Sequence, residues 1–151
     1  MADPTTASAP ATAGLDLQFH HLGVACERIE DDRPIWEMLG YRVEGAGFAD
    51  PAQGIRGLFM VGGGPRIELL EALDGSQTLA PWLKRRVKLY HAGFLAADFA
   101  AALDRLVEAG GAVTREPIHS VYFGALIAFV MMPNMALIEL VEAAASTETR
   151  P

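Results

Sequence analysis

The sequence predicts an α+β fold: two βαβββ modules in one chain, forming a cupped mixed β-sheet with a site between them. Three observations lead there. Phe19–Leu73 and Tyr90–Ala144 repeat one another segment by segment. A histidine and a glutamate recur in step, His21 with Glu68 and His91 with Glu139, 47 and 48 residues apart within each half. Each acid also stands inside an alternating apolar run, "RIELLE" or "LIELVE", as a strand with two different faces requires.

Taken in order, residues 1–16 are rich in Ala, Thr and Pro and have neither a basic n-region nor an apolar h-region. They read as a flexible tail rather than a secretion signal. The first module covers 17–75. "FHHLGVA", matched later by "LYHAGFL", gives a first strand over Gln18–Ala25. A helix follows over Asp31–Leu39, with Asp31 and Asp32 favouring the positive end of its dipole. Pro34 is expected in its first turn, where a missing N–H costs nothing. Strands are predicted over Tyr41–Gly47, Ile55–Val61 and Arg66–Leu70, separated by the turn signals "DPAQG" and "GGGP". Residues 76–88, with "SQTLAPWLKRR", read as a capped helical linker. The second module, 89–143, repeats the order: Leu89–Leu95, a helix over Phe99–Ala109 capped by Asp98, then Ala112–Thr114, Ala125–Met132 and Ala136–Val141. Residues 144–151 are expected to be a second disordered tail.

Bulk properties narrow the function. Half the residues are apolar, enough for one sizeable core, and the net charge of −7 argues against nucleic acid and anionic membrane surfaces as partners. No apolar run is long enough for a membrane helix. The basic run Lys84-Arg85-Arg86 with Lys88 is either a solvated turn or a seat for an anionic substrate tail. A single cysteine, Cys26, cannot form an internal disulfide, which suits a reducing cytoplasmic setting; it reads as a small apolar residue near a strand end.

Strand alternation places Glu68 opposite Ile67 and Leu69, with Glu71 on the side of those two. An ionised carboxylate inside an apolar face needs a cation or hydrogen bonds to compensate it. Two modules related by an approximate two-fold axis would bring His21, Glu68, His91 and Glu139 to one point. Two imidazoles and two carboxylates there suit one divalent metal ion: Zn, Co, Ni, Mn or Fe. The repeat aligns His21 with His91, and alternation sends His20 to the opposite face. Phe48, Phe59, Phe94, Tyr122, Phe123 and Phe129 are candidate pocket residues.

These residues carry a family likeness. From about Phe19 to Glu142 the chain resembles the vicinal oxygen chelate superfamily, which includes glyoxalase I, methylmalonyl-CoA epimerase, extradiol dioxygenases and antibiotic-resistance proteins. "HHLGVA", "DPAQGIRGLFM", "PRIELLEALDGS", "LAPWL", "YHAGF" and "ALIELVE" are most similar to the epimerase branch. The resemblance implies the glyoxalase fold, metal ligands at His21, Glu68, His91 and Glu139, a small-molecule substrate such as an acyl thioester, and a homodimer. It implies an isomerase or epimerase that forms a metal-stabilised enolate beside a carbonyl. A related step on a polyketide-like substrate, a glyoxalase-type lyase and a non-catalytic resistance protein are the alternatives. One departure stands out: the branch's second proton-transferring carboxylate falls on Gly57. Glu139 can serve as one base, and His119, Tyr122 and Glu71 are the candidates for the other.

Overall fold

The chain was analysed as a computed structural model that describes residues 15–144. The repeat is realised as two four-stranded units. The first comprises β1 (Leu17–Cys26), α1 (Ile29–Met38), β2 (Arg42–Asp50), β3 (Ile55–Val61) and β4 (Ile67–Ala72). After α2 (Ala80–Lys84), the second comprises β5 (Leu89–Ala96), α3 (Phe99–Glu108), β6 (Ala112–His119), β7 (Leu126–Met131) and β8 (Leu137–Glu142). The strands join in one mixed sheet, ordered β2-β3-β4-β1-β5-β8-β7-β6. Within each unit the first and last strands run parallel, and β1 and β5 pair antiparallel to close the seam between units. The α+β class holds, and the two expected tails lie almost wholly outside the described residues. Among those residues no helix is long and apolar enough to cross a membrane.

Alternation assigns the two faces as expected. Ile67 and Leu69 of β4 join Val24, Cys26, Ile29, Tyr41 and Met60 in a core on the α1 side. Leu140, Ala128 and Val130 join Phe99, Ala102 and Leu106 in its counterpart under α3. The opposite, concave face therefore receives Glu68 and Glu139. Cys26 ends β1 fully buried; burial first, then the nearby Asp32 charge, pushes its thiol up to about 12, leaving it a packing residue.

Local differences have physical causes. α1 begins at Ile29, two residues earlier than its acidic cluster suggests, which moves Pro34 into the helix interior. Its N-cap residue Arg28 makes no side-chain cap; Glu71, from β4, accepts a hydrogen bond from the Ile29 N–H at 2.9 Å instead. Glu71 is also paired with Arg56, so it serves the helix face and is turned away from the concave one. α2 is a single short helical segment without a side-chain cap, whereas Asp98 caps α3 as predicted, accepting from the Ala101 N–H at 3.1 Å. β6 runs well past Thr114 because it is an edge strand, where Pro117 can lack an N–H without breaking a ladder.

Replacing Glu71 by Ala removes the borrowed cap and leaves Arg56 to its longer pair with Glu30 at 3.4 Å. Denaturant unfolding should show a loss of about 1–2 kcal/mol, the size of hydrogen bonds to a partly screened charge. The Arg56 guanidinium holds the Glu71 carboxyl below its ordinary 4.5. Its contribution is therefore complete above that value and is lost as pH falls through the folded pKa, so the difference between wild type and Glu71→Ala should shrink in acid.

Candidate metal centre

The sheet register builds the site in two equivalent rows. Across the first unit run Glu44, Phe59, Glu68 and Gly23, ending at His91 of the second unit. Across the second run Arg115, Phe129, Glu139 and Gly93, ending at His21 of the first. Residues paired across a ladder project from the same face, so each row delivers one acid, one aromatic ring and the other unit's imidazole to the concave side. The glycines are spatial requirements. A Cβ on Gly23 would stand 2.0 Å from the His91 ring, and one on Gly93 would stand 2.2 Å from the His21 ring. The His-x-Gly pattern repeated in the sequence is thus one imidazole lying on the glycine of the opposite strand, twice. Phe59 meets the His21 ring edge-on at 5.3 Å, as Phe129 meets His91 at 5.3 Å.

His20 departs from simple alternation. Phe19 pairs with Phe94 and His21 with Gly93, leaving His20 as an extra residue in β1; Tyr90 is likewise extra in β5. Such bulges re-aim side chains, and His20 consequently shares the concave face rather than the opposite one. Its Nδ1 lies 2.9 Å from Nδ1 of His21. A His21 that ligates through Nε2 carries its proton on Nδ1 and donates it to His20, the arrangement that orients a ligand imidazole. The carbonyl of His20 is held in turn by the Arg66 guanidinium at 3.1 Å, and Arg66 pairs with Glu44 at 3.0 Å. Tyr90 instead packs edge-on against His91 at 4.5 Å and tilts on Trp82.

The four expected ligands converge. One donor atom from each of His21, Glu68, His91 and Glu139 lies within 4.8 Å of the others, and all four residues are buried. Nε2 of His21 is 3.0 Å from Glu68 and 3.1 Å from Glu139; Nε2 of His91 is 2.9 Å from Glu139. Burial disfavours the charged form of His21, but the Glu68 and Glu139 carboxylates outweigh it and push its pKa up to about 10. Burial also opposes ionisation of Glu139, yet the two imidazoles hold it down to about 2; Glu68 is lowered for the same reason. Two carboxylates thus stay ionised in a buried cluster to which, among the described residues, no Lys or Arg is bonded, and a divalent cation fits that N2O2 set.

Beside the cluster opens a cavity of about 320 Å³, reaching Glu68, His91 and Glu139. Phe48, Phe123 and Phe129 line it, while Phe59 is buried against His21 and Phe94 meets Phe19. Tyr122 lies on Phe59 and Phe48, ring centroids 4.4 and 4.9 Å away. His119 is exposed at the end of β6, and neither it nor Tyr122 lines the cavity. Lys84, Arg85, Arg86 and Lys88 do not line it either, and Lys88 is engaged by Asp32 at 2.7 Å. Gly57 is covered: a Cβ there would stand 2.3 Å from the ring of Phe48, its ladder partner. Asp50 went unnoticed in the sequence. Fully buried, it accepts from the Val121 N–H at 3.0 Å and the Gln53 amide at 2.7 Å, pinning the β6–β7 loop over the aromatic cluster.

Comparison with known proteins agrees with this geometry. The family model for the Glyoxalase/Bleomycin resistance protein/Dioxygenase superfamily matches residues 20–129. No curated protein matches the chain by sequence. Among solved structures, a hypothetical protein of Bacillus halodurans C-125 is 25% identical, with 89% of this chain and 99% of that one covered and a TM-score of 0.73. A variant of Streptomyces coelicolor methylmalonyl-CoA epimerase, in complex with 2-nitronate-propionyl-CoA, is 25% identical over 85% of this chain and 98% of its own, with a TM-score of 0.70. Methylmalonyl-CoA epimerase of Mycobacterium tuberculosis shares the fold at 24% identity, covering 87% and 91% with a TM-score of 0.70.

Gly23→Ala and Gly93→Ala should each leave a folded protein by circular dichroism while weakening zinc binding about a hundredfold, since the facing imidazole must move; unchanged calorimetric affinity would contradict the cradle. Metal binding should also depend on pH in a defined sense. The cation must displace the proton that His21 holds up to about pH 10, so apparent affinity should rise about tenfold per unit between roughly pH 6 and 8. Calorimetry in buffers of different ionisation enthalpy would register the released proton.

Proposed function

Because the chain belongs to the glyoxalase/bleomycin resistance/dioxygenase superfamily, we propose that it is a metal-dependent isomerase that moves a proton at the carbon beside a carbonyl, in the manner of methylmalonyl-CoA epimerase. The observation that carries this reading is the convergence of His21, Glu68, His91 and Glu139 at the wall of an apolar cavity. A divalent cation held by these four residues would polarise a carbonyl oxygen and acidify the neighbouring carbon. Zn, Co, Ni, Mn and Fe all suit the donor set. The substrate is a small molecule, and an acyl thioester fits the likeness to the epimerases. A homodimer belongs to the same reading.

The chain's own contributions follow from position. Glu139 would be both a ligand and, like Glu68, a carboxylate facing the cavity; in this reading it takes and returns the substrate proton. Phe123 and Phe129 exclude water from the reacting carbon. Tyr122 and His119, in and beside the β6–β7 loop, are the remaining candidates for proton transfer.

Epimerisation needs a base on each side of the carbon. Phe48 fills the space above Gly57, where the epimerase branch would supply its second carboxylate. That favours a second reading, isomerisation of the glyoxalase I type, in which one base removes the proton and returns it on the same face.

Incubation of the metal-loaded protein with methylmalonyl-CoA in heavy water distinguishes the two. Deuterium exchange without inversion is the single-base result; exchange with inversion requires a second base, and His119→Asn and Tyr122→Phe then identify it. Glu139→Gln should reduce either by about a thousandfold. Absence of exchange for both thioesters and the hemithioacetal of a 2-oxoaldehyde would end the isomerase reading.

A further inference from the structure

The two rows that build the centre are equivalent except at their outer ends, where one carries Glu44 and the other Arg115. Glu44 is neutralised: Arg66 pairs with it and the pair holds the carbonyl of His20. Arg115 is not matched in this way. Its one hydrogen bond is donated to the carbonyl of Ala52 at 3.3 Å, and among the described residues no carboxylate pairs with it. Among the described residues it is the only Lys or Arg that lines the cavity.

Three neutral polar groups of that wall already donate. The Thr78 hydroxyl donates to the Gln53 carbonyl at 2.8 Å, the Thr114 hydroxyl to the Phe129 carbonyl, and the Gln53 amide to Asp50. Arg115 has five N–H donors in a planar fork suited to a carboxylate or phosphate, so most of its hydrogen-bonding capacity is unspent. The register fixes its range. Arg115 is two strands from Glu139 in the same row, about 10 Å between Cα atoms at ordinary strand spacing. Between them lies the ring of Phe129, and the remaining walls include Leu70, Trp82 and Leu137.

Resting on the metal-centre reading, we infer that Arg115 is the anion seat of the site: the substrate is an anionic acid with a compact apolar body, its chelating oxygens toward Glu139 and its charged group on the Arg115 guanidinium. The body lies along Phe129. The charge asymmetry between the rows gives the substrate one orientation in a pseudo-symmetric cup.

Benzohydroxamate and para-carboxybenzohydroxamate provide the test, since both chelate zinc and differ by one carboxylate at the far end. Calorimetric titration of the zinc-loaded protein should show the carboxylated probe binding about tenfold more tightly, the effect of one charge-assisted pair. In Arg115→Gln the preference should vanish with the affinity for benzohydroxamate unchanged, and Arg115→Lys should restore part of it. Equal affinities in the wild type, or a preference that survives Arg115→Gln, would overturn the anion seat while leaving the metal centre intact. Failure of zinc itself to bind, or of plain benzohydroxamate to bind the zinc-loaded protein, would overturn both.

Discussion

Each imidazole of the centre occupies the volume that a side chain would take on the neighbouring strand. His21 lies on Gly93 and His91 on Gly23, across the antiparallel pairing of β1 with β5. This packing makes the seam between the units and the ligand cluster one object. A shift of β1 against β5 would turn side chains to the wrong face and drive an imidazole into a backbone. The register of the central pair, and with it the sheet, is therefore set by the same residues that bring the cluster together.

Around that seam the two units have kept their frame and diverged in their contents. Both have an acid beside an aromatic ring, and both have a bulged residue before the converging histidine. In the first unit the bulge carries His20, which bonds His21; in the second it carries Tyr90, and Nδ1 of the buried His91 has no partner among the described residues. The first unit's half of the cup is filled by Phe48, Phe59, Tyr122 and Phe123, rings in mutual contact. The cavity beside these rings is lined from both units, by Phe48, Ile55 and Leu70 of the first and by Phe129, Met131 and Leu137 of the second.

The fold class, the strand order within each half and the four converging residues were legible because duplication wrote them twice. Glu68 and Glu139 could be assigned to the concave face from alternation alone, since β4 and β8 are regular strands. His20 could not. Alternation presumes an unbroken ladder, and the bulge at His20 depends on pairing with a strand some seventy residues away. The start of α1 was misjudged for a similar reason: its cap is Glu71, 42 residues downstream. Asp50, likewise, reads as part of a turn until Val121, 71 residues on, is seen to depend on it. What escaped the sequence is satisfaction of polar groups by distant partners, which leaves no local pattern.

The pair Phe48 and Gly57 shows how a fold that accepts many chemistries is narrowed. Glycine in the middle of β3 weakens a strand unless something fills the space it leaves; here the ring of its own ladder partner does so. The exchange is concrete. A side chain at Gly57 would require the Phe48 ring to shift, and Phe48 also packs on Phe59 and Tyr122, so a second base at this position would disturb the aromatic wall. The wall in turn abuts His21 through Phe59. A carboxylate there would thus loosen the packing around His21, and this is the physical support for the proposed single-base reading.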